Sequence, residues 1–261
     1  MSQEIPIYQV DAFADAVFAG NPAAVCPLDA WLPDDVMQAI ASENNLSETA
    51  FLVARNGGYD LRWFTPAHEV DLCGHATLGS AYVIATSLEP GRESMDFETR
   101  SGRLTVTRSG ERYTMDFPAL MPAPVADPAP LLEALGRDAE AVLRADKNLV
   151  VLEDQTAVRA ATPDLDKVAR LEGDGLIVSA PGTDCDFVSR YFAPHAGIPE
   201  DPVTGSAHCV LTPYWAERLG KTRMTARQVS KRGGALDVEH KGARVLISGR
   251  VAPYMEGRIR V

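Results

Sequence analysis

Three side chains able to carry protons stand close together early in the chain: Glu48 in "NLSETAFLVA", and Cys73 and His75 in "LCGHATLGSA". A later stretch, "PEDPVTGSAHCV", adds Asp201, Gly205 and Ser206. The two stretches are variants of one motif. Each follows Arg–aromatic–Phe–x–Pro, in "RWFTPAH" from Arg62 and "RYFAPHA" from Arg190, and each then reaches Gly-(His/Ser)-Ala. Pro66 to Gly74 is eight residues and Pro194 to Gly205 is eleven, so the second copy carries an insertion. Matched segments in opposite halves predict a duplicated fold with one site between the copies.

The chemistry these residues could do is proton transfer beside an anion. Helices starting at Gly74-His75 and at Gly205-Ser206 would present free backbone N–H groups at a positive dipole end. Two such ends facing one cleft would bind a carboxylate, and glycine allows the backbone to approach it closely. Glu48 shares a strand face with Leu46, Ala50 and Leu52. A carboxylate on an apolar face is poorly solvated, the setting that tunes such a group for proton transfer. Each residue also has a plain structural reading: Glu48 as a surface residue, His75 as a helix-start residue, Asp201 before Pro202 as a turn initiator. Cys73 is expected at a helix start, which favours its thiolate and would let it act as a base. Thr204 occupies the aligned position in the second copy, so inversion by paired thiols is unavailable and only one-sided thiol chemistry remains.

The composition excludes other classes. The chain has 261 residues, with 25 basic and 36 acidic side chains and a net charge of −11. No basic face is expected for nucleic acid or an anionic membrane. The start "MSQEIPIYQVDAF" does not read as a signal peptide, and no window reaches the ~18–20 apolar residues of a membrane span. A cytoplasmic protein is expected. Cys26, Cys73, Cys185 and Cys209 are scattered without C-x-x-C, and the five histidines include no i, i+4 pair, so no metal site is predicted from spacing. No Gly-rich nucleotide fingerprint is present.

Short β-like runs separated by Gly, Asn, Asp or Pro dominate the pattern. "LPDDVMQAIASEN", "PAPLLEALG" and "TPDLDKVARLEG" read as helices. "HATLGSAYVIATSL" and "SAHCVLTPYWAERLG" are apolar on most sides, the mark of helices surrounded by protein. Pro213 is expected to kink or interrupt the second of these. The proline-rich "PALMPAPVADPAP" over 118–130 is taken as the inter-domain linker. The result is two β-rich halves, 1–118 and 119–249, each with a buried helix.

The segments "VDAFADAVFAGNPAAV", "ASENNLSETAFL", "RWFTPAHEVDLCGHATLGSA" and "RYFAPHAGIPEDPVTGSAH" together resemble the PhzF family of phenazine-biosynthesis-type isomerases, in family order and over essentially the whole chain. The resemblance implies an α+β, diaminopimelate-epimerase-like fold: two pseudo-symmetric, β-barrel-like domains, each wrapped around a central helix. It implies that a C-terminal strand, about 250–261, completes the first domain. It further implies a cofactor-free enzyme, usually a homodimer; the cleft between the helix starts should take a small carboxylate, cyclic or open-chain. Glu48 would be the acid/base that moves a proton along the substrate, assisted by His75 and Asp201. Asn21 and Ser206 would line the substrate site, beside the amides of Gly74 and Gly205. Cys73 with Thr204 opposite also resembles the hydroxyproline dehydratases of the proline racemase group, which use a single thiol but lack the glutamate segment. Three readings therefore stand: a Glu48 proton-shifting isomerase, a Cys73 dehydratase or epimerase, and a non-catalytic binding or scaffold protein.

Overall fold

Alternating apolar residues with turn-forming breaks make strands, and here they make two strand series of the same design. The computed structural model describes residues 3–261. The chain divides into two compact units, one ending at Asp116 and completed by Ser248–Val261, the other running from Phe117 to Ile247.

In the first unit Glu4–Ala12 pairs antiparallel with both Val251–Arg260 and Asn21–Leu28. The pairing then runs parallel to Glu48–Arg55, antiparallel to Gly58–Phe64, parallel to Ser94–Thr99 and antiparallel to Gly102–Ser109. The second unit repeats this alternation. Ala141–Arg144 pairs antiparallel with Asn148–Val151, which runs parallel to Leu176–Pro181 and so on through Phe187–Ala193, Arg223–Gln228 and Gly234–Lys241. A parallel pair needs a crossover. In both units the second crossover is the apolar helix read from the sequence: Gly74–Val83 in the first and Gly205–Leu219 in the second.

The sheet of the first unit is covered on both faces. Helix Asp34–Asn44 lays Met37, Ile40 and Ala41 on Ala24, Cys26, Leu28 and Phe51. Helix Gly74–Val83 covers the other face, and buries every residue from His75 to Val83 except Tyr82. Gly79 permits the close packing, since a Cβ there would meet Val10 Cγ2 at 2.8 Å. In the second unit Val150, Val178, Val188 and Phe192 form one face under helices Ala129–Leu135 and Gln155–Ala160. Phe187, on the opposite face, stacks on Trp215 of helix Gly205–Leu219 with ring centroids 5.7 Å apart.

Three local results differ from pattern reading. Helix Gly205–Leu219 continues through Pro213. Proline at this position cannot bond back to the Cys209 carbonyl, and the Leu120 N–H supplies that bond instead at 3.0 Å. Helix Gly74–Val83 continues as a π-turn over Ile84–Leu88. The proline-rich 118–130 stretch carries a short strand, Ala123–Pro124, that pairs with Ala141–Arg144 in the second unit. Among the described residues, no helix is long and apolar enough to cross a membrane.

Candidate functional site

The arginines of the repeated motif explain part of the repetition. Arg62 makes a two-pronged ion pair with Glu69, with both N···O distances 2.7 Å. Arg190 does the same with Glu200 at 2.6 and 3.0 Å. Each guanidinium also lies over the Phe two residues on, 5.2 Å from the Phe64 ring and 4.8 Å from the Phe192 ring. In each unit this clamp joins the strand to the loop that leads into the central helix.

Strand register brings Glu48 to the first helix. Glu48 pairs with Ala23, and Ala50 with Val25, along the parallel ladder. Cys26 and Phe51 face helix Asp34–Asn44, so the alternation sends Glu48 to the opposite face, toward helix Gly74–Val83. His75, in the first turn of that helix, meets it: Nε2 lies 3.0 Å from Glu48 Oε2. Both residues are buried, 5% and 8% exposed. Neither atom makes a hydrogen bond of good geometry among the described residues, so the pair is close but not locked.

The other face of the imidazole is held. Asn21 Nδ2 lies 3.2 Å from His75 Nδ1, and Ser47 Oγ donates to Asn21 Oδ1 at 2.9 Å. In the neutral ring, the amide nitrogen on Nδ1 makes that atom the acceptor and puts the ring proton on Nε2, beside the carboxylate. Gly20, at φ 65°, makes the turn that delivers fully buried Asn21, because a Cβ there would strike the Ala12 carbonyl. Cys73 Sγ approaches Nδ1 at 3.5 Å.

The electrostatics separate the thiol from the imidazole. Burial works to lower the His75 pKa, but Cys73 and Glu48 outweigh it and hold the ring well above its ordinary value. Cys73 behaves opposite to its helix-start expectation. Burial first, then the Glu48 charge, push the thiol up to about 11 against the helix end and His75. The helix dipole's partial charge is too small to offset full desolvation.

The second unit builds its own polar group. Thr204 Oγ1 donates to Asp201 Oδ2. Buried Gln228 accepts from the Thr204 N–H at 2.8 Å and donates to the Asp201 carbonyl at 2.7 Å. Gly205 is buried and Ser206 half-buried at the helix start. No side chain caps either central helix, at Cys73 or at Thr204, so the first amides of each are not held by a capping group. Gly74 is half-buried at the first of these starts. Sequence reasoning did not single out Gln228, which lies in an ordinary alternating strand. Ser47 was visible only as a neighbour of Glu48.

Spacing in the sequence showed no metal site, yet the fold gathers one ligand atom each from Glu48, Cys73 and His75 within 4.8 Å of one another.

Comparison with known proteins agrees with this architecture. A family model described as phenazine biosynthesis-like protein matches residues 10–257. A Pseudomonas aeruginosa protein named as an uncharacterized isomerase is 55% identical, over 99% of this chain and 100% of its own. A human phenazine biosynthesis-like domain-containing protein is 39% identical, over 98% of this chain and 99% of its own. The crystal structure of a PhzF family protein from Enterococcus faecalis superposes with a TM-score of 0.97 at 46% identity, covering 99% of this chain and 100% of that one. A hydroxyproline epimerase from Agrobacterium vitis shares the fold alone, with a TM-score of 0.63 at 9% identity over 99% of this chain and 93% of its own. The fold is thus the α+β, epimerase-like one, with a central helix in each β-rich unit. The chain belongs to the phenazine biosynthesis-like, or PhzF, family, and its relatives place it among isomerases.

Proposed function

We propose that this protein is an isomerase that shifts a proton along a small carboxylate, cyclic or open-chain, with Glu48 as the general acid/base. The observation that carries this reading is the buried Glu48–His75 contact at 3.0 Å, whose atoms have no competing hydrogen bonds among the described residues. Glu48 takes the proton from one substrate carbon and returns it to another. His75 assists by standing 3.0 Å from the carboxylate and balancing its charge, with its ring oriented by Asn21 and Ser47. The uncapped amides at Gly74 and His75 are suited to a substrate carboxylate. Asp201, Gly205 and Ser206 carry the assisting and binding roles that the family resemblance assigns.

The thiol alternative is weaker. A buried Cys73 with its pKa near 11 is protonated at neutral pH and is a poor base there. The deciding experiment is solvent-deuterium incorporation into the carbon skeleton of a panel of amino, hydroxy and cyclic carboxylic acids, read by mass spectrometry. Exchange that disappears in Glu48→Gln and survives in Cys73→Ala supports the proposal. The reverse pattern hands the chemistry to the thiol.

A further inference from the structure

We propose that Glu48, Cys73 and His75 form a three-ligand site for a borderline divalent transition ion, Zn2+ above all, whose binding disables the proton-carrying groups. This goes beyond the proton-transfer reading and uses the same side chains, but the binding itself does not depend on that role.

The donor set is the first argument. Carboxylate oxygen, thiolate sulfur and imidazole nitrogen are the three ligand types that Zn2+ takes in proteins. Ca2+ and Mg2+ require oxygen donors throughout and do not match it.

Geometry is the second argument. One ligand atom from each residue lies within 4.8 Å of the others. Zn2+ bonds of about 2.0–2.3 Å give tetrahedral ligand edges of roughly 3.3–3.8 Å. The Glu48 Oε2–His75 Nε2 distance of 3.0 Å is close to that range, and Cys73 Sγ, which lies 3.5 Å from the other ring nitrogen, has to move toward Nε2 to complete the set. Glu48 Oε2 and His75 Nε2 are buried atoms without hydrogen bonds of good geometry among the described residues, so a cation would satisfy both. Asn21 engages Nδ1, so Nε2, the nitrogen nearest Glu48, is the ring atom left to ligate once its proton is displaced.

Three protein ligands leave a fourth position for water or a substrate carboxylate. Binding replaces the Cys73 S–H and the His75 Nε2–H by bonds to the metal and releases both protons to solvent. The net charge of −11 favours approach of a cation.

The test uses the purified full chain, stripped with a chelator, and needs no substrate. Zn2+ is titrated in competition with a chromophoric chelator, and Co2+ is added separately to read its spectrum. One tight equivalent of Zn2+ and a thiolate-to-cobalt charge-transfer band are expected. Cys73→Ala should abolish the band and weaken Zn2+ by at least about 100-fold, since losing a ligand costs no less than losing its support. Glu48→Gln, which keeps the shape of the core, should weaken Zn2+ by at least about tenfold. Cys185→Ser, in the other unit, should change neither reading. Zn2+ affinity within about threefold of wild type in Cys73→Ala, or a cobalt spectrum without the thiolate band, overturns the proposal; so does loss of binding in Cys185→Ser. Metal binding that depends on these three residues, in a protein that exchanges no substrate, would uphold this site and sink the isomerase reading; the opposite pairing would do the reverse.

Discussion

His75 Nε2 and Glu48 Oε2 lie 3.0 Å apart, on a helix start and a strand start that parallel pairing with Asn21–Leu28 brings together. The contact joins a charge-sensitive ring to a carboxylate in a place where water has little access. Proton transfer is the chemistry that such a pair does well.

Glu48→Gln keeps the side-chain shape and removes the titrating proton. Deuterium incorporation into any substrate found should fall by about 10²–10⁴-fold, the usual contribution of a general acid/base. Cys73→Ala should cost far less, through packing alone. Initial-rate exchange for both variants checks this, and a Glu48→Gln enzyme with wild-type exchange would end the Glu48 assignment.

Asn21→Ala removes the group that orients His75 and accepts from Ser47. Loss of a buried hydrogen-bonding partner should destabilise the protein by about 1–3 kcal/mol. The ring would also lose its preferred tautomer, so exchange should fall with little change in KM. Denaturant melts beside exchange kinetics separate the two effects. Stability and rate both unchanged would show that Asn21 does not hold the ring.

His208 should make the second unit acid-sensitive. Burial pushes its pKa down to about 4, against a helping bond from Nδ1–H to the Thr204 carbonyl. The unfolded chain therefore binds this proton more readily than the folded one, starting near pH 6.5. Stability from this group is complete above about 6.5 and is lost as pH falls toward 4, by roughly 3 kcal/mol at the low end. Urea melts from pH 7 to 4 should show that slope in wild type and a flatter one in His208→Gln. Equal slopes would mean that His208 is not the group responsible.

Arg190→Lys keeps the charge but cannot form the two-pronged pair with Glu200 or reach the Val158, Arg159 and Ala161 carbonyls in the same geometry. Destabilisation of about 1.5–3 kcal/mol is expected, as for hydrogen bonds to a charged group, here half-buried. Thermal or urea unfolding reads it directly. A change below about 0.5 kcal/mol, the level of an ordinary surface substitution, would show the clamp to be incidental.

Two kinds of information separate at this point. The sequence by itself determined the local features, because they depend on neighbours a few residues away. Glycine before an apolar run marks the starts of Gly74–Val83 and Gly205–Leu219, and the paired Arg–aromatic–Phe–x–Pro motifs announce a duplicated design. The motif order was also enough to point to the family. Only the tertiary structure decided what meets what. Glu48 reaches His75 because a parallel ladder aligns it with Ala23, and a shift of one residue would turn it to the opposite face. Gln228 joins Thr204 and Asp201 through another parallel ladder, which aligns it with Ser189 and has no local signature. Pro213 stays inside its helix because Leu120, far away in the chain, supplies the missing donor. The thiol of Cys73 loses the advantage of its helix start for the same kind of reason: burial is a property of everything packed around a residue, and no short window of sequence contains it.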